Sequence, residues 1–404
     1  MAIYDIALAY NSVQRFRSCK PHFCDSVVHL TCCTILMTVP ELLARLDAEA
    51  RPFLVRFLPA RATIAYYSWA RQVALRLLTG SKCPTAVVPP ESAAIVLWGI
   101  RFRAPLFNAA GMFKHGEGYE LAYRQGAGAY LAGTTTSLPR MGNVRYGIAL
   151  PFVPYPQSKA ASNWLGLPNP GHRAVASRLA RLPRYPGFPI GASVALDPGM
   201  ETHEAIERLL EGMELYRQAG VDFLELNESC PNTGEDVAEL EALLERLRFI
   251  ASHFVHPHGV PTIVKLSVDS DPHVIEHLAR ELSSLGYGGL VIGNTSTQYA
   301  KRRTMIVEGE RRTFDYFTGT FSGGISGEPL REDVRRLIER ATRAVEHRSG
   351  EFHLIAVGGI ASGDDLRQAF AAGARLAEWY TGYFERFARD GHLLYARVFA
   401  EAGA

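Results

Sequence analysis

The residue of this chain best suited to proton transfer is Cys230, which lies in the segment Asn-Glu-Ser-Cys-Pro-Asn. Most solitary cysteines are small, buried hydrophobic residues. Cys230, however, follows a predicted strand and precedes a proline, and this is not a core position, so a reactive thiol is favoured. Because no histidine lies near it in the sequence, proton abstraction fits better than the mechanism of a cysteine hydrolase.

Other polar residues at predicted strand ends could bind a ligand. Asn163, Asn227, Asn232 and Asn294 could surround a planar molecule that carries C=O and N–H groups, although a lone asparagine there is usually a turn residue. Lys265 ends the apolar run Pro-Thr-Ile-Val-Lys, where a charge is costly without a partner. It could form an ion pair with a neighbouring acid, or it could face an anionic group such as the reduced ring of a flavin.

The elements that must position these residues are eight short apolar runs that alternate with helical stretches. The runs cover residues 106–110, 129–133, 190–195, 222–227, 262–266, 289–294, 353–358 and 375–380. This alternation predicts a (β/α)8 TIM barrel with its active site at the C-terminal ends of the strands. A doubly wound sheet is less favoured, because it usually has one glycine fingerprint after its first strand, whereas glycines here follow several strands.

Two glycine-rich segments late in the predicted barrel could hold a phosphate group. They are Gly323-Gly-Ile-Ser-Gly327 and Val357-Gly-Gly-Ile360. Glycine lets backbone N–H groups approach a phosphate closely, and the loops after strands seven and eight are the usual phosphate site of this fold.

The segment before the barrel has a different pattern. We predict a leader over residues 1–36, a helical pair and linker over 37–92, and the barrel over 93–404. No acidic residue lies between Glu49 and Glu91, a stretch that carries several arginines, Trp69 and two tyrosines. A basic amphipathic pair suits a membrane surface or an apolar tunnel, or else it is a cap packed on the barrel. The sequence contains no clear signal peptide and no apolar run long enough to span a bilayer.

The composition excludes several classes of protein. The 404 residues include 43 Lys and Arg against 41 Asp and Glu, a balance that argues against nucleic acid as the main partner. Six cysteines are too few for a disulfide scaffold. The Cys and His residues near the N-terminus lack paired metal-ligand spacing, so we predict no metal site.

Taken in order, the motifs resemble those of a known family over roughly residues 93–390. The motifs AAGMFKHGEG, GTTT, SNWLGLPN, NESCPNT, IVKLS, IGNTST, GGISGEPL, AVGGIASG and YTGYF are similar to those of dihydroorotate dehydrogenases, the FMN enzymes of pyrimidine synthesis. The resemblance implies oxidation of (S)-dihydroorotate to orotate on the route to UMP. Cys230 would remove the C5 proton, and flavin N5 would accept hydride from C6.

The resemblance also implies two sets of binding residues, which overlap. The residues that would hold FMN are Ala110, Gly111, Lys114, Thr134, Ser193, Asn227, Lys265, Gly293, Gly327, Gly359, Tyr380 and Thr381, with Gly327, Gly359, Tyr380 and Thr381 at its phosphate end. The residues that would hold dihydroorotate are Lys114, Asn163, Leu165, Gly166, Leu167, Asn227, Asn232, Asn294 and Thr295.

The sequence mixes traits of two branches of that family. The cysteine base and the Gly-Leu-Pro-Asn segment resemble the soluble branch, whereas the helical pair resembles the quinone-linked, membrane-associated branch. The chain departs from the latter at Phe113 and Ser193, and it retains only Arg145 of an arginine-rich run. We expect a quinone acceptor and a location on the cytoplasmic side, with peripheral membrane contact through residues 38–80. The alternatives are fumarate or NAD as acceptor, another cyclic amide or pyrimidine as substrate, and a non-catalytic membrane-bound module.

Overall fold

The computed structural model describes residues 37–82, 86–228, 237–347 and 350–403. The helices in these ranges are α1 (Val39–Phe57), α2 (Ala60–Gly80), α3 (Tyr119–Gln125), α4 (His172–Leu179), α5 (Thr202–Gln218), α6 (Val237–Ile250), α7 (His256–His258), α8 (Pro272–Ser284), α9 (Tyr299–Thr304), α10 (Glu308–Phe321), α11 (Arg331–Val345), α12 (Gly363–Ala371), α13 (Thr381–Asp390) and α14 (Leu394–Ala402). Short 3-10 turns lie at Glu91–Ala93, Glu328–Leu330 and Gly391–Leu393, and a π-helical segment covers Ala251–Val255. The predicted leader, Cys230 and Asn232 lie outside the described residues.

The strands of the described residues alternate with these helices. They are β1 (Ile95–Leu97), β2 (Ile100–Phe102), β3 (Leu106–Asn108), β4 (Tyr130–Thr135), β5 (Val144–Arg145), β6 (Ile148–Ala149), β7 (Phe152–Tyr155), β8 (Ala160–Asn163), β9 (Ile190–Val194), β10 (Phe223–Asn227), β11 (Thr262–Leu266), β12 (Gly289–Ile292), β13 (Gly324–Gly327), β14 (His353–Val357) and β15 (Ala374–Trp379).

Eight of these strands form one parallel sheet in the order β3, β15, β14, β12, β11, β10, β9, β4. Each coincides with one of the eight apolar runs, and the predicted TIM barrel is confirmed. The end strands β3 and β4 meet through Asn108, whose Nδ2 donates to Leu131 O at 2.7 Å while Leu131 N donates to its Oδ1 at 3.3 Å. A backbone bond from Gly128 N to Leu106 O at 2.9 Å adds to this closure.

Two apolar layers hold the barrel together. Inside, Phe107, Phe223, Ile263 and Leu376 are fully buried and fill the space that the strands enclose. The β1–β2 hairpin closes the N-terminal end, where the Trp98 ring lies 6.2 Å from that of Phe223. Outside, a larger cluster joins the strands to the surrounding helices. Since the N-terminal end is filled, the space for a ligand lies at the C-terminal ends of the strands.

The helical pair α1–α2 packs against the barrel through a few specific contacts. A capping box at Thr38 and Glu41 begins α1, and Glu41 Oε1 also accepts from the backbone N of His392 at 3.0 Å. Along α2, Ser68 Oγ accepts from Phe152 N at 3.0 Å. Buried apolar side chains of both helices join a cluster with β7 and α10. The pair therefore caps the barrel, and its outer face carries exposed apolar residues such as Phe53 and Trp69.

No helix among the described residues is long and apolar enough to cross a membrane. The division of the chain at residues 36 and 92 stays a prediction.

Candidate active site

A cavity of about 300 Å³ opens at the C-terminal ends of the barrel strands. It is within the range typical of small-molecule sites. The predicted site residues that line it are Ala110, Gly111, Lys114, Thr134, Asn163, Leu165, Gly166, Leu167, Asn227, Lys265, Asn294, Thr295, Gly327, Gly359, Tyr380 and Thr381. Residues from widely separated parts of the chain therefore meet in one place, as the barrel requires.

Two predicted cofactor residues lie outside this lining. Ser193 is fully buried behind Thr134, and its Oγ is 2.9 Å from Thr134 Oγ1. Gly293 faces the neighbouring strand, where a Cβ would lie 1.8 Å from the Val357 carbonyl oxygen. Phe113, one of the departures from the quinone-linked branch, is fully buried and stacks on Tyr130 at 6.4 Å. Ser193 and Phe113 thus lie behind the cavity wall.

Lys265 carries the charge at the cavity floor. Its Nζ donates to Glu378 Oε2 at 2.7 Å and to Glu225 Oε2 at 3.3 Å. Both glutamates are completely buried, and Lys265 is 3% exposed. The alternative of an ion pair is therefore realised, and Lys265 lines the cavity as well. Lys265 and Glu378 face the cavity, whereas Glu225 lies behind them and accepts from Ser193 Oγ at 2.7 Å.

Burial and charge shift the pKa values of this group in a common direction. Desolvation and the neighbouring Glu225 raise the pKa of Glu378 to about 8, against the opposing effect of Lys265. Burial disfavours the Lys265 ammonium, but the two carboxyl groups outweigh that penalty, and its pKa is raised. Lys265 therefore stays charged, and Glu378 holds a proton at neutral pH.

A chain of hydrogen bonds connects the floor to the amide side chains of the cavity wall. Asn294 Nδ2 donates to Asn227 Oδ1 at 3.3 Å, and Asn227 Nδ2 donates to Thr134 Oγ1 at 3.0 Å. Thr134 in turn contacts Ser193, which is bonded to Glu225. These bonds fix the orientation of the amides, so they can present donors and acceptors to a planar ligand without reorganisation.

Lys114 lies in the loop after β3 and lines the cavity. Its Nζ donates to Pro168 O at 3.3 Å, and its backbone N donates to Glu117 Oε1 at 2.7 Å. Burial, together with the positive charge of Arg71, lowers the pKa of Lys114 to about 7. No carboxylate of the described residues pairs with Lys114 Nζ, and such an ammonium is suited to bind an anionic group of a ligand.

The glycine-rich segments form a narrow cradle at the start of α13. Gly327 has φ +100°, and a Cβ there would lie 2.3 Å from Lys159 O. Gly359 has φ +79°, and a Cβ there would lie 2.6 Å from Arg331 Cβ. Thr381 is the first residue of α13, and its Oγ1 lies 2.9 Å from Ser326 Oγ. Hydroxyl groups and a helix N-terminus next to glycine backbone provide the donors that a phosphate needs.

A second cavity, of about 380 Å³, lies between the helical pair and the barrel. Its wall is mostly apolar, with Leu43, Tyr66, Trp69 and Ala70 from the pair and Phe384 from α13. Phe152, Tyr380 and Thr381 line both cavities. The two spaces therefore share a wall to which these side chains contribute.

Arg71 of α2 lies at this shared wall. Its Nε and Nη2 donate to Tyr380 Oη at 3.1 and 2.5 Å, and its guanidinium lies 5.7 Å from the centre of the Phe152 ring. Sequence reasoning missed Arg71, because nothing in a helical pattern shows which distant ring it meets. Sequence reasoning also missed Glu225 and Glu378, although the sequence carries a signal for both. Each is a charged residue within an apolar strand, as Lys265 is.

In the part of the chain that the structure describes, no group of three His, Cys, Asp or Glu side chains is arranged to hold a metal ion.

Comparisons with known proteins agree on one family. A family model described as "Dihydroorotate dehydrogenase" matches residues 92–389. A protein of Alkalilimnicola ehrlichii named "Dihydroorotate dehydrogenase (quinone)" is 30% identical over 350 residues, which cover 83% of this chain and 94% of that protein. One of Salinispora arenicola with the same name is 31% identical over 351 residues, or 84% of this chain and 95% of that protein.

The solved structures support the fold. DHODH of Eimeria tenella in complex with ferulenol aligns with a TM-score of 0.67 at 22% identity, over 83% of this chain and 90% of that chain. Its ligand-free form aligns with a TM-score of 0.63. Since the family model covers well over half of the chain and the relatives match along nearly their whole length, this chain belongs to the dihydroorotate dehydrogenase family of oxidoreductases.

Proposed function

We propose that this chain oxidises dihydroorotate to orotate in pyrimidine synthesis, with bound FMN as the first electron acceptor and a quinone as the second. The observation that carries the proposal is the first cavity, which combines the Lys114 ammonium, oriented amides and a glycine cradle. Within the described residues, no carboxylate pairs with Lys114 Nζ. These are the groups that a carboxylate, a cyclic diamide and a phosphate require. The names of the relatives support both substrates.

The donor set fits FMN. Gly327, Gly359 and Thr381 would hold the phosphate at the N-terminus of α13. Lys265 and Thr134 would contact the flavin ring, since both line the cavity floor. When bound, FMN supplies a two-electron acceptor. An acceptor ring next to the Lys265 ammonium is stabilised when it gains negative charge.

Dihydroorotate would be held by Lys114 at its carboxylate and by Asn163, Asn227, Asn294 and Thr295 at its ring amides. Residues 165–167 would cover it as the wall of the cavity. Asn232 and Cys230 complete this proposal from the sequence alone, with the Cys230 thiolate accepting the C5 proton. The protein aligns the reacting carbon atoms with the base and the acceptor, and this alignment lowers the barrier.

The second cavity supports a quinone as the final acceptor. It is mostly apolar, and Phe152, Tyr380 and Thr381 line both cavities. A quinone ring that enters between α1 and α2 would therefore come close to the FMN site without meeting dihydroorotate. Most of this wall is apolar, which suits a quinone ring better than the polar acceptors fumarate and NAD.

Peripheral membrane contact follows from the outer face of the same helices. Leu46, Phe53, Phe57 and Trp69 are more than half exposed, at 58%, 66%, 68% and 61%. Arginines flank them on both helices. An apolar face with a basic rim binds an anionic lipid surface, and it would place the mouth of the second cavity where quinones dissolve.

The test begins with the purified full-length chain. We expect yellow protein whose FMN absorbance is bleached by dihydroorotate without oxygen. Protein that binds FMN and is never reduced by dihydroorotate would refute the proposed reaction, and reduction by another pyrimidine alone would favour the alternative substrate.

The acceptor is tested with two matched variants of α2. Ala70 lines the second cavity, whereas Ala65 is exposed on the same helix and does not line it. We expect Ala70→Phe to lower turnover with a short-chain quinone at least tenfold while bleaching by dihydroorotate stays intact, and Ala65→Phe to retain both. Equal quinone rates in the two variants, or faster turnover with fumarate or NAD than with quinone, would contradict the quinone proposal.

A further inference from the structure

The floor of the first cavity holds one more carboxyl group than its cation can neutralise. Glu225 on β10 and Glu378 on β15 both contact the single ammonium of Lys265 on β11. Glu225 and Lys265 are also the charged groups that act most strongly on Glu378. From strand β9, which lies next to β10, the Ser193 hydroxyl donates to Glu225. With all three groups ionised, the buried floor would carry a net negative charge, which is costly in a region that water does not reach.

The two glutamates are not equivalent. Both Glu225 oxygens are hydrogen-bonded, one to Ser193 and one to Lys265. Glu378 uses Oε2 for Lys265, and among the described residues its buried Oε1 has no hydrogen-bond partner. Glu378 also lines the cavity, and Glu225 does not. A buried oxygen without a partner at the wall of a ligand site is an atom that the ligand would satisfy.

This inference rests on the proposed binding of FMN. We propose that Glu378 is a cofactor-contacting residue whose protonated carboxyl group donates a hydrogen bond from the cavity floor to the flavin ring, while Lys265 stays positively charged beside it. The arrangement satisfies the free oxygen of Glu378 and removes the excess negative charge. The raised pKa of Glu378, about 8, agrees with a carboxyl group that keeps its proton at neutral pH.

A protonated Glu378 next to the flavin ring affects how many protons the protein takes up on reduction. Two-electron reduction places negative charge on the flavin ring next to Glu378 and therefore raises the affinity of Glu378 for its proton. Below pH 8, Glu378 is protonated before and after reduction, so only the ring takes up a proton. Above pH 8, Glu378 is ionised in the oxidised protein and takes up a second proton when the two electrons arrive.

The experiment measures the midpoint potential of FMN in the full-length protein from pH 6 to 9.5, with dithionite as the reductant. One proton per two electrons shifts the potential by about 30 mV per pH unit, and two protons shift it by about 59 mV. We expect the slope to steepen from the first value to the second near pH 8. Protonation of the reduced ring itself would give the opposite trend, because it adds a second proton at low pH.

Two variants with the same substitution separate Glu378 from other carboxyl groups. Glu378→Gln keeps a neutral donor of the same shape, and we expect FMN affinity within threefold of wild type and one proton per two electrons at every pH. Glu385 lines the second cavity, and its pKa is raised to about 7 by burial. We expect Glu385→Gln to keep the wild-type change of slope.

A constant slope in the wild type, or a second proton that persists in Glu378→Gln, would overturn the inference. The proposed function would still stand in that case, because the protein would have been shown to bind FMN. If Glu378→Gln does not fold, Lys114→Met and Cys230→Ala decide, because each removes another titratable group proposed for this site. A change of slope near pH 8 that survives in both variants supports Glu378, and its loss in either would overturn the inference. A full-length protein that binds no FMN would overturn the proposed function itself.

Discussion

The low pKa of Lys114 makes a quantitative prediction about substrate binding. Burial and the neighbouring charge of Arg71 lower this pKa to about 7 in the protein without substrate. The carboxylate of orotate binds the ammonium form and not the neutral amine. The ammonium fraction is one half at pH 7, about 0.09 at pH 8 and about 0.01 at pH 9, so we expect the affinity for orotate to fall about 50-fold between pH 7 and pH 9.

Binding of orotate to the FMN-loaded protein, followed by the change in flavin absorbance, measures this effect without turnover. Lys114→Met should bind orotate weakly and without dependence on pH. Arg71→Met removes a positive charge that lowers the pKa of Lys114, so the fall in affinity should begin at a higher pH. Constant orotate affinity from pH 6 to 9 in the wild type, or an equal fall in Lys114→Met, would refute the reasoning.

Three further predictions concern the base, the cradle and the buried acid. Cys230→Ala should retain FMN but lose most dihydroorotate oxidation near neutral pH. Cys230→Ser should be active only at higher pH, since a hydroxyl is a weaker acid than a thiol. Unchanged turnover in the alanine variant would exclude Cys230 as the base. Gly359→Ala should weaken FMN binding at least tenfold, because its Cβ would lie 2.6 Å from Arg331 Cβ, whereas Gly147→Ala, with φ +76° and nothing within 4 Å, should bind FMN normally in the same equilibrium titration. The folded protein keeps a proton on Glu378 up to about pH 8, whereas the unfolded chain releases it near pH 4.5. As the pH rises from 4.5 to 8, the free energy of unfolding of the wild type should therefore fall by about 1.4 kcal/mol per pH unit relative to that of Glu378→Gln. Parallel urea-unfolding profiles for the two proteins across this window would contradict the assignment.

The sequence predicted the barrel because its signals are local. Each apolar run, such as 262–266, is short and bounded by turn residues, and strand β11 (Thr262–Leu266) has the same limits. Strand ends then predicted which residues face the site, since the C-terminal ends of parallel strands meet at one mouth. For that reason Lys114, Asn227, Asn294 and Gly359 all line the cavity.

Only the tertiary structure decided which predicted residues reach the cavity and which groups share a charge. Ser193 and Gly293 follow the same local rule as their neighbours, but neither lines the cavity, because Thr134 lies in front of Ser193 and Gly293 packs against the Val357 carbonyl of the neighbouring strand. The contact of Arg71 with Tyr380 joins residues 309 positions apart, and that of Lys265 with Glu378 joins residues 113 apart. Periodicity along a strand or helix carries no information about such pairs, because it fixes the face on which a residue lies and not the partner that faces it. The excess of carboxyl groups over cations at the cavity floor arises only when three strands bring these side chains together away from water, and this is also why one carboxyl group keeps its proton.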